Sequence, residues 1–188
     1  MIIQLRGTSG SGKTWAMQQV TKLFDELMEP VFMEKRKRPI LYLSKLNDAP
    51  VAVLGSYETA CGGCDTIQEV AFVFALAESL HVRGFHVLFE GLLLSADVQR
   101  VLTLNKLAAG RVAIVTLSTT IEQCLEQVNA RRKARLGDEF TPVKEDNTRA
   151  KARGVELSHA KLELNGVMAF KCSSKEAVAQ VRALLLRG

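Results

Sequence analysis

The chain is expected to fold as one three-layer α/β domain, residues 1–188, with a parallel sheet of about five strands and helices on both faces. Three observations lead there. A short apolar strand, a glycine-rich turn and a helix follow one another at the N-terminus, the order that a phosphate-binding loop requires. Apolar strand-like runs then alternate with helical patterns to the end of the chain, which implies parallel strands covered on both sides. Finally, 188 residues of which 47% are hydrophobic are enough to bury one full core.

The elements follow in order. Met1 to Arg6 reads as a buried strand and Trp15 to Met28 as a helix. Ile40 to Lys45 and Val51 to Leu54 read as two strands around the turn Asn47-Asp48-Ala49-Pro50. A long helix is expected over Thr66 to Val82, then a strand over His86 to Glu90. Ser95 is the candidate N-cap of a helix that Gly110 ends. Val112 to Leu117 is a strand, and Thr119 or Thr120 caps a helix to about Leu136. A loop over Gly137 to Pro142 leads to a polar helix from about Val143 to Leu164. Val167 to Cys172 is the last strand, and Ser173 or Ser174 caps the final helix to about Arg187. No repeat, low-complexity tract or linker interrupts the pattern, and the nucleotide site of such a domain lies at the carboxyl ends of the strands.

Composition narrows the function classes. The apolar runs are too short to span a membrane, and no basic n-region with a cleavage site precedes the glycine motif, so a cytosolic compartment is expected. The four cysteines are too sparse for a disulfide scaffold. Cys61 and Cys64 form a C-x-x-C without a second pair, leaving a zinc or redox role as the alternative to a tight glycine loop with two small side chains. The net charge of +5 favours an anionic partner. Oligomeric state is not legible.

Gly7-Thr8-Ser9-Gly10-Ser11-Gly12-Lys13-Thr14 matches the P-loop pattern G-x-x-x-x-G-K-[ST] at every position. Glycines let backbone N–H groups curl around a polyphosphate, and the following helix N-terminus adds donors and partial positive charge. Lys13 would reach the β- and γ-phosphates of ATP, and the Thr14 hydroxyl would sit on Mg²⁺. Glu90, a carboxylate ending an apolar strand, would stand beside Thr14 and hold a Mg²⁺-bound water; a plain capping acid is the alternative. The usual residue there is Asp, and the end of this strand lacks the adjacent Asp-Glu pair of mechanical ATPases.

Asp65 follows Gly62-Gly63, two glycines that let backbone approach a flat or bulky ligand. It would orient and deprotonate an acceptor hydroxyl, or else it, or Thr66, caps a helix. Tyr57 would stack on a base or cap the core. Arg131, Arg132 and Arg135, with Arg149 and Arg153, flank the loop Gly137 to Pro142. Like charges four residues apart on one helix face cost a few tenths of a kcal/mol, which a bound polyanion would offset. Such a pattern suits a helical lid over residues 131–153 that lays arginines on a transferring phosphate, with Arg132 on the nucleotide; a solvated basic face is the alternative. The run Lys35-Arg36-Lys37-Arg38 would track a nucleic-acid backbone or remain a solvated loop.

With these residues in place, the chain resembles the small P-loop kinases of the nucleoside and nucleotide kinase group, over Gly7 to Thr14, the strand to Glu90 and the arginines from Arg131. The segment Val51-Ala52-Val53-Leu54-Gly55 through Gly62-Gly63-Cys64-Asp65-Thr66-Ile67 is similar to phage kinases that phosphorylate 5-hydroxymethyluridine within DNA, a step towards hypermodified thymine. The resemblance implies ATP as donor, Mg²⁺ as its metal and DNA containing 5-hydroxymethyluracil as acceptor, with the phosphate serving later as a leaving group. Two other readings remain at this point: a kinase for a small nucleoside or nucleotide, and a P-loop switch or ATPase.

Overall fold

In the computed structural model, residues 1–59, 62–67 and 69–187 are described. Among them, seven strands form one mixed sheet in the order β2-β3-β4-β5-β1-β6-β7. These are β1 (Ile2–Arg6), β2 (Glu29–Val31), β3 (Leu41–Leu46), β4 (Ala49–Leu54), β5 (His86–Glu90), β6 (Val112–Leu117) and β7 (Met168–Cys172). The sheet is therefore larger than the expected five parallel strands. From β4 through β5, β1 and β6 to β7 every neighbouring pair is parallel, whereas β2, β3 and β4 pair antiparallel. The β3–β4 hairpin turns at Asn47 and Asp48, both in the left-handed region (φ 49° and 63°), where Asn and Asp side chains are best tolerated. The unanticipated β2 is three residues long and contains Pro30, which suits a sheet edge where one face of the ladder stays unpaired.

The helices are α1 (Lys13–Thr21), α2 (Val70–Val82), α3 (Gln99–Leu107), α4 (Ile121–Leu136), α5 (Glu145–Leu164) and α6 (Ser174–Arg187). Strand alternation divides the core in two. Ile2, Val87, Phe89 and Ile114 pack with α2, α3 and Leu162 of α5. Ile3, Leu5, Leu88 and Val115 pack with Ala16, Met17 and Val20 of α1 and with Val181 and Leu184 of α6. Helices thus cover both faces of the sheet.

Ala49 and Pro50, expected in the turn, pair with Leu46 and Lys45 as the start of β4, and three expected helix boundaries shift. Helix α1 stops at Thr21, and Phe24 and Met28 reach the core from an irregular segment instead. Helix α2 begins at Val70, because Cys64–Thr66 forms a separate 3₁₀ turn; neither Asp65 nor Thr66 caps it. Ser95 does not cap α3. Its hydroxyl donates to the Gly91 carbonyl at 2.7 Å and accepts from the Gly7 N–H at 3.2 Å, so it ties the end of β5 to the end of β1. Asp97 accepts the Arg100 N–H at 3.0 Å and supplies the cap expected of Ser95. Thr120 caps α4 as expected, in a reciprocal capping box with Gln123, and Ser173 forms the corresponding pair with Glu176 before α6. Among the described residues, no helix is long and apolar enough to cross a membrane.

Candidate active site

Sheet register brings the site together. Leu5 of β1 stands opposite Glu90 of β5, so the chain leaves both strands side by side at their carboxyl ends. The turn after β1 is the glycine motif. Gly10 and Gly12 hold φ values of 80° and 93°, a region that a side chain rarely adopts. At Gly10 an added Cβ would stand 2.3 Å from the Cys124 carbonyl oxygen, so α4 packs directly on the loop. Gly12 is the N-cap of α1 and gives no side-chain cap, and the first turn of α1 has no acidic residue. The helix N-terminus is left open for an external anion. The Thr8 and Ser11 hydroxyls are buried and have no partner among the described residues, a further sign that the loop is shaped for an acceptor-rich group.

Lys13 is buried, and its Nζ donates to the carbonyls of Gly7 at 2.9 Å and Thr8 at 3.1 Å. Burial lowers its pKa, while Glu90 and Asp65 oppose that shift. The Thr14 hydroxyl donates to Glu90 Oε1 at 2.9 Å. Glu90 is only 1% exposed, and burial pushes its carboxyl up to about 7 despite Lys13 and the Thr14 hydrogen bond. A carboxylate beside a threonine hydroxyl offers two hard oxygen atoms, the ligand type that Mg²⁺ takes.

Asp65 lies across the cleft. Its carboxylate accepts the backbone N–H of Leu92 at 2.9 Å and of Leu93 at 3.3 Å, so it braces the turn that follows β5. One cleft is lined by Ser9, Gly10, Gly12, Lys13, Thr14, Trp15, Gly62, Asp65, Glu90, Leu92, Gln127 and Arg131. Of the arginines expected there, Arg131 alone lines it. Arg135, one turn further along α4, is exposed and does not line it, and Arg132 reaches Thr141 at 3.5 Å. Arg149 pairs with Glu145 on its own helix and with Glu122 of α4 at 3.5 Å, so part of the basic face joins the two helices on either side of the 137–142 connection.

The paired glycines serve close backbone packing. Ser56 and Gly63 form an antiparallel bridge, and a Cβ on Gly62 would stand 2.5 Å from the Ser56 carbonyl oxygen. A Cβ on Gly63 would stand 2.4 Å from Glu90 Oε1. Tyr57 is 9% exposed, sits in the core cluster under α1 and α6, and meets Tyr42 with ring centroids 6.5 Å apart. Its burial matches the core role, one of the two expected. Cys64 is buried, and burial raises its thiol pKa well above the ordinary value, the opposite of a reactive cysteine. Cys61 lies outside the described residues, so the C-x-x-C pairing does too. Among the described residues, no cluster of three or more His, Cys, Asp or Glu side chains could hold a metal.

Two features escaped the sequence. Trp15 stands in the cleft wall at 42% exposure. A second cleft, lined by Ser118, Thr119, Gln123, Glu126, Gln127, Ser173, Ser174 and Lys175, meets the first at Gln127, beyond the ends of β6 and β7.

No family profile matches the chain, and no solved structure matches it. Among curated proteins, it is 36% identical over 185 residues to the 5-hmdU DNA kinase of Pseudomonas phage PaMx11, an alignment covering 98% of this chain and 96% of that one. At that identity over nearly the whole length, the chain belongs to the 5-hmdU DNA kinase family and is a phosphotransferase.

Proposed function

We propose that the protein is an ATP-dependent P-loop kinase that phosphorylates the hydroxymethyl group of 5-hydroxymethyluracil within phage DNA. The observation that carries this reading is the meeting of Lys13, Thr14, Glu90 and Asp65 in one cleft beside an uncapped helix N-terminus, in a chain related end to end to a 5-hmdU DNA kinase.

The second cleft supports an orientation for the donor. Its position beyond β6 and β7, joined to the first at Gln127, suits the nucleoside end of ATP, with the phosphates running over Gly10 to Lys13. In the free protein Lys13 satisfies itself on the Gly7 and Thr8 carbonyls. It needs only a rotation of its side chain to follow the γ-phosphate. Thr14 and Glu90 are the residues that would hold Mg²⁺, which supplies charge neutralisation of the phosphates; Mg²⁺ commonly takes one or two protein oxygens and completes its shell with phosphate and water.

Transfer forms a bond between the acceptor oxygen and the γ-phosphorus, breaks the bond to the β–γ bridging oxygen and releases ADP. The hydroxyl proton passes to Asp65. Two backbone N–H groups fix that carboxylate, while its exposure leaves it accessible to an acceptor. Glu90, buried and bonded to Thr14, is poorly placed for that role. Arg131 adds positive charge from the α4 side as charge develops on the transferring group. The Arg36 guanidinium donates to the Thr66 carbonyl at 2.7 Å, which fastens the basic run 35–38 beside the Asp65 segment, where it can follow a DNA backbone.

Mass spectrometry of nucleosides, after incubating the protein with ATP and 5-hydroxymethyluracil DNA, tests the reading. A mass gain of one phosphate on that nucleoside is expected, and it should vanish with Lys13→Ala. Phosphorylation of the free nucleoside in preference to DNA would overturn the polymer acceptor. ATP turnover with no acceptor dependence would overturn the kinase.

A further inference from the structure

Trp15 is the one tryptophan of the chain, and it immediately follows the glycine motif. A residue on the first turn of a helix that supports the sheet would ordinarily be core or polar. Ala16, Met17 and Val20 obey that rule and are fully buried, whereas Trp15 is 42% exposed. The helix geometry fixes where it faces. Gln18, three residues on and therefore on the same face, donates to the Tyr57 carbonyl at 3.4 Å. That bond turns the Trp15–Gln18 stripe towards the β4–α2 connection, which carries Gly62, Gly63 and Asp65. On the other side of the loop, a Cβ on Gly12 would stand 3.2 Å from Ser174 of α6, which borders the second cleft. Trp15 thus belongs to the half of the site opposite the donor nucleoside.

The wall itself is chemically uneven. Among the described residues, Trp15 and Leu92 are its only large apolar side chains; the others are glycines, hydroxyls, amides or charged groups. Leu92 is held in place through its own N–H on Asp65. A large planar apolar surface beside the carboxylate that would receive the acceptor proton calls for a flat partner. A base within a duplex is stacked on its neighbours and cannot meet such a surface until it leaves the helix, or unless the strand is single.

We propose that Trp15 is the stacking platform for the acceptor pyrimidine, holding an unstacked 5-hydroxymethyluracil with its hydroxymethyl group towards Asp65. This rests on the DNA-kinase reading above. The single tryptophan makes it measurable, because all indole fluorescence comes from residue 15. A short single-stranded oligonucleotide with one 5-hydroxymethyluracil, titrated without ATP, should quench that fluorescence saturably. An oligonucleotide with an abasic site in place of the modified base, bound to saturation as judged by anisotropy of a dye on its end, should quench it much less. In steady-state assays Trp15→Ala should raise KM for the oligonucleotide about tenfold or more and leave KM for ATP within twofold, while Trp15→Phe should recover most of the loss. A side chain that merely stabilised α1 would move both KM values together and would not distinguish base from abasic site. Equal quenching by the two oligonucleotides, or an unchanged oligonucleotide KM in Trp15→Ala, overturns the proposal. Base-dependent quenching in a protein that transfers no phosphate would sustain the platform and overturn the kinase reading, so the two fail separately.

Discussion

Replacing Glu90 with Gln should make the protein more stable and less active at once. Glu90 is 1% exposed, and its carboxyl is raised from 4.5 to about 7 chiefly by burial. The folded protein therefore holds a proton there, between pH 4.5 and about 7, that the unfolded chain has released. Stability then falls as pH rises across that window and levels off above it. A gap from 4.5 to about 7, at about 1.4 kcal/mol per pH unit, corresponds to about 3–4 kcal/mol lost by pH 8. Gln has the shape of the protonated acid, and its amide oxygen can still accept from the Thr14 hydroxyl. Glu90→Gln should recover most of this loss, or about 6–12 °C in Tm for a chain of this size. The assay is thermal unfolding of both proteins in EDTA without nucleotide, at pH 5 and pH 8. The Tm difference should be large at pH 8 and shrink to the equivalent of about 1 kcal/mol or less at pH 5. Transfer by the variant should be lost, because the acid and the Thr14 hydroxyl form the pair that would take the metal. A variant equal to or below the parent in Tm at pH 8 would refute the reasoning. It would mean that Lys13 and Thr14 compensate the buried charge in full.

Three other outcomes are expected. Asp65→Asn should lower kcat by about 10²–10⁴ with KM for ATP unchanged and stability altered by no more than about 1 kcal/mol, since the amide oxygen can keep one of the two N–H bonds; a change in Tm alone would reduce Asp65 to a brace for the turn after β5. Arg131→Ala should lower kcat by about 10–100-fold, and Arg135→Ala by less than twofold, because only the first lines the cleft; equal effects in kinetic assays would mean that α4 moves further on binding than this structure suggests. Replacing Lys35, Lys37 and Arg38 with Gln should weaken DNA binding and reduce the slope of log K against log salt by about 0.7–0.9 per lost phosphate contact, with kcat at saturating DNA unchanged; a salt slope equal to the parent's would leave that run a solvated loop.

What the sequence carried, it carried locally. The glycine motif is contiguous, and its geometry follows from residue types within eight positions. The parallel strands β5 and β6 are largely apolar runs between turn signals, and Thr120 with Gln123 is a complete capping box. What it hid depends on distant parts of the chain. The partners of Asp65 are backbone groups 27 and 28 residues away, so nothing near Asp65 distinguishes a brace from a helix cap. Arg131 and Arg135 share a helix face in projection, but one turn separates the cleft from solvent. Phe24 and Met28 continue the apolar spacing of α1 without being helical, because spacing records burial and not hydrogen bonding. Strand β2 is too short to display a period, and Tyr57 reads identically as core or as ligand platform until its neighbour Tyr42 is in view. Trp15 had a usable signal: the largest apolar residue of the chain stands beside three helix positions that already supply a buried face.

The glycines at 55, 63 and the acid at 90 bear on how this protein can diverge. A Cβ at 55 would fall 2.2 Å from the Gly63 carbonyl carbon, and one at 63 would fall 2.4 Å from the Glu90 carboxylate. Each position closes off the next, so no single enlargement is open to mutation along that line. A lineage acquiring a different acceptor must leave this interlock untouched and vary its rim. The half-exposed indole of Trp15, on the cleft wall, is where new specificity has room to arise.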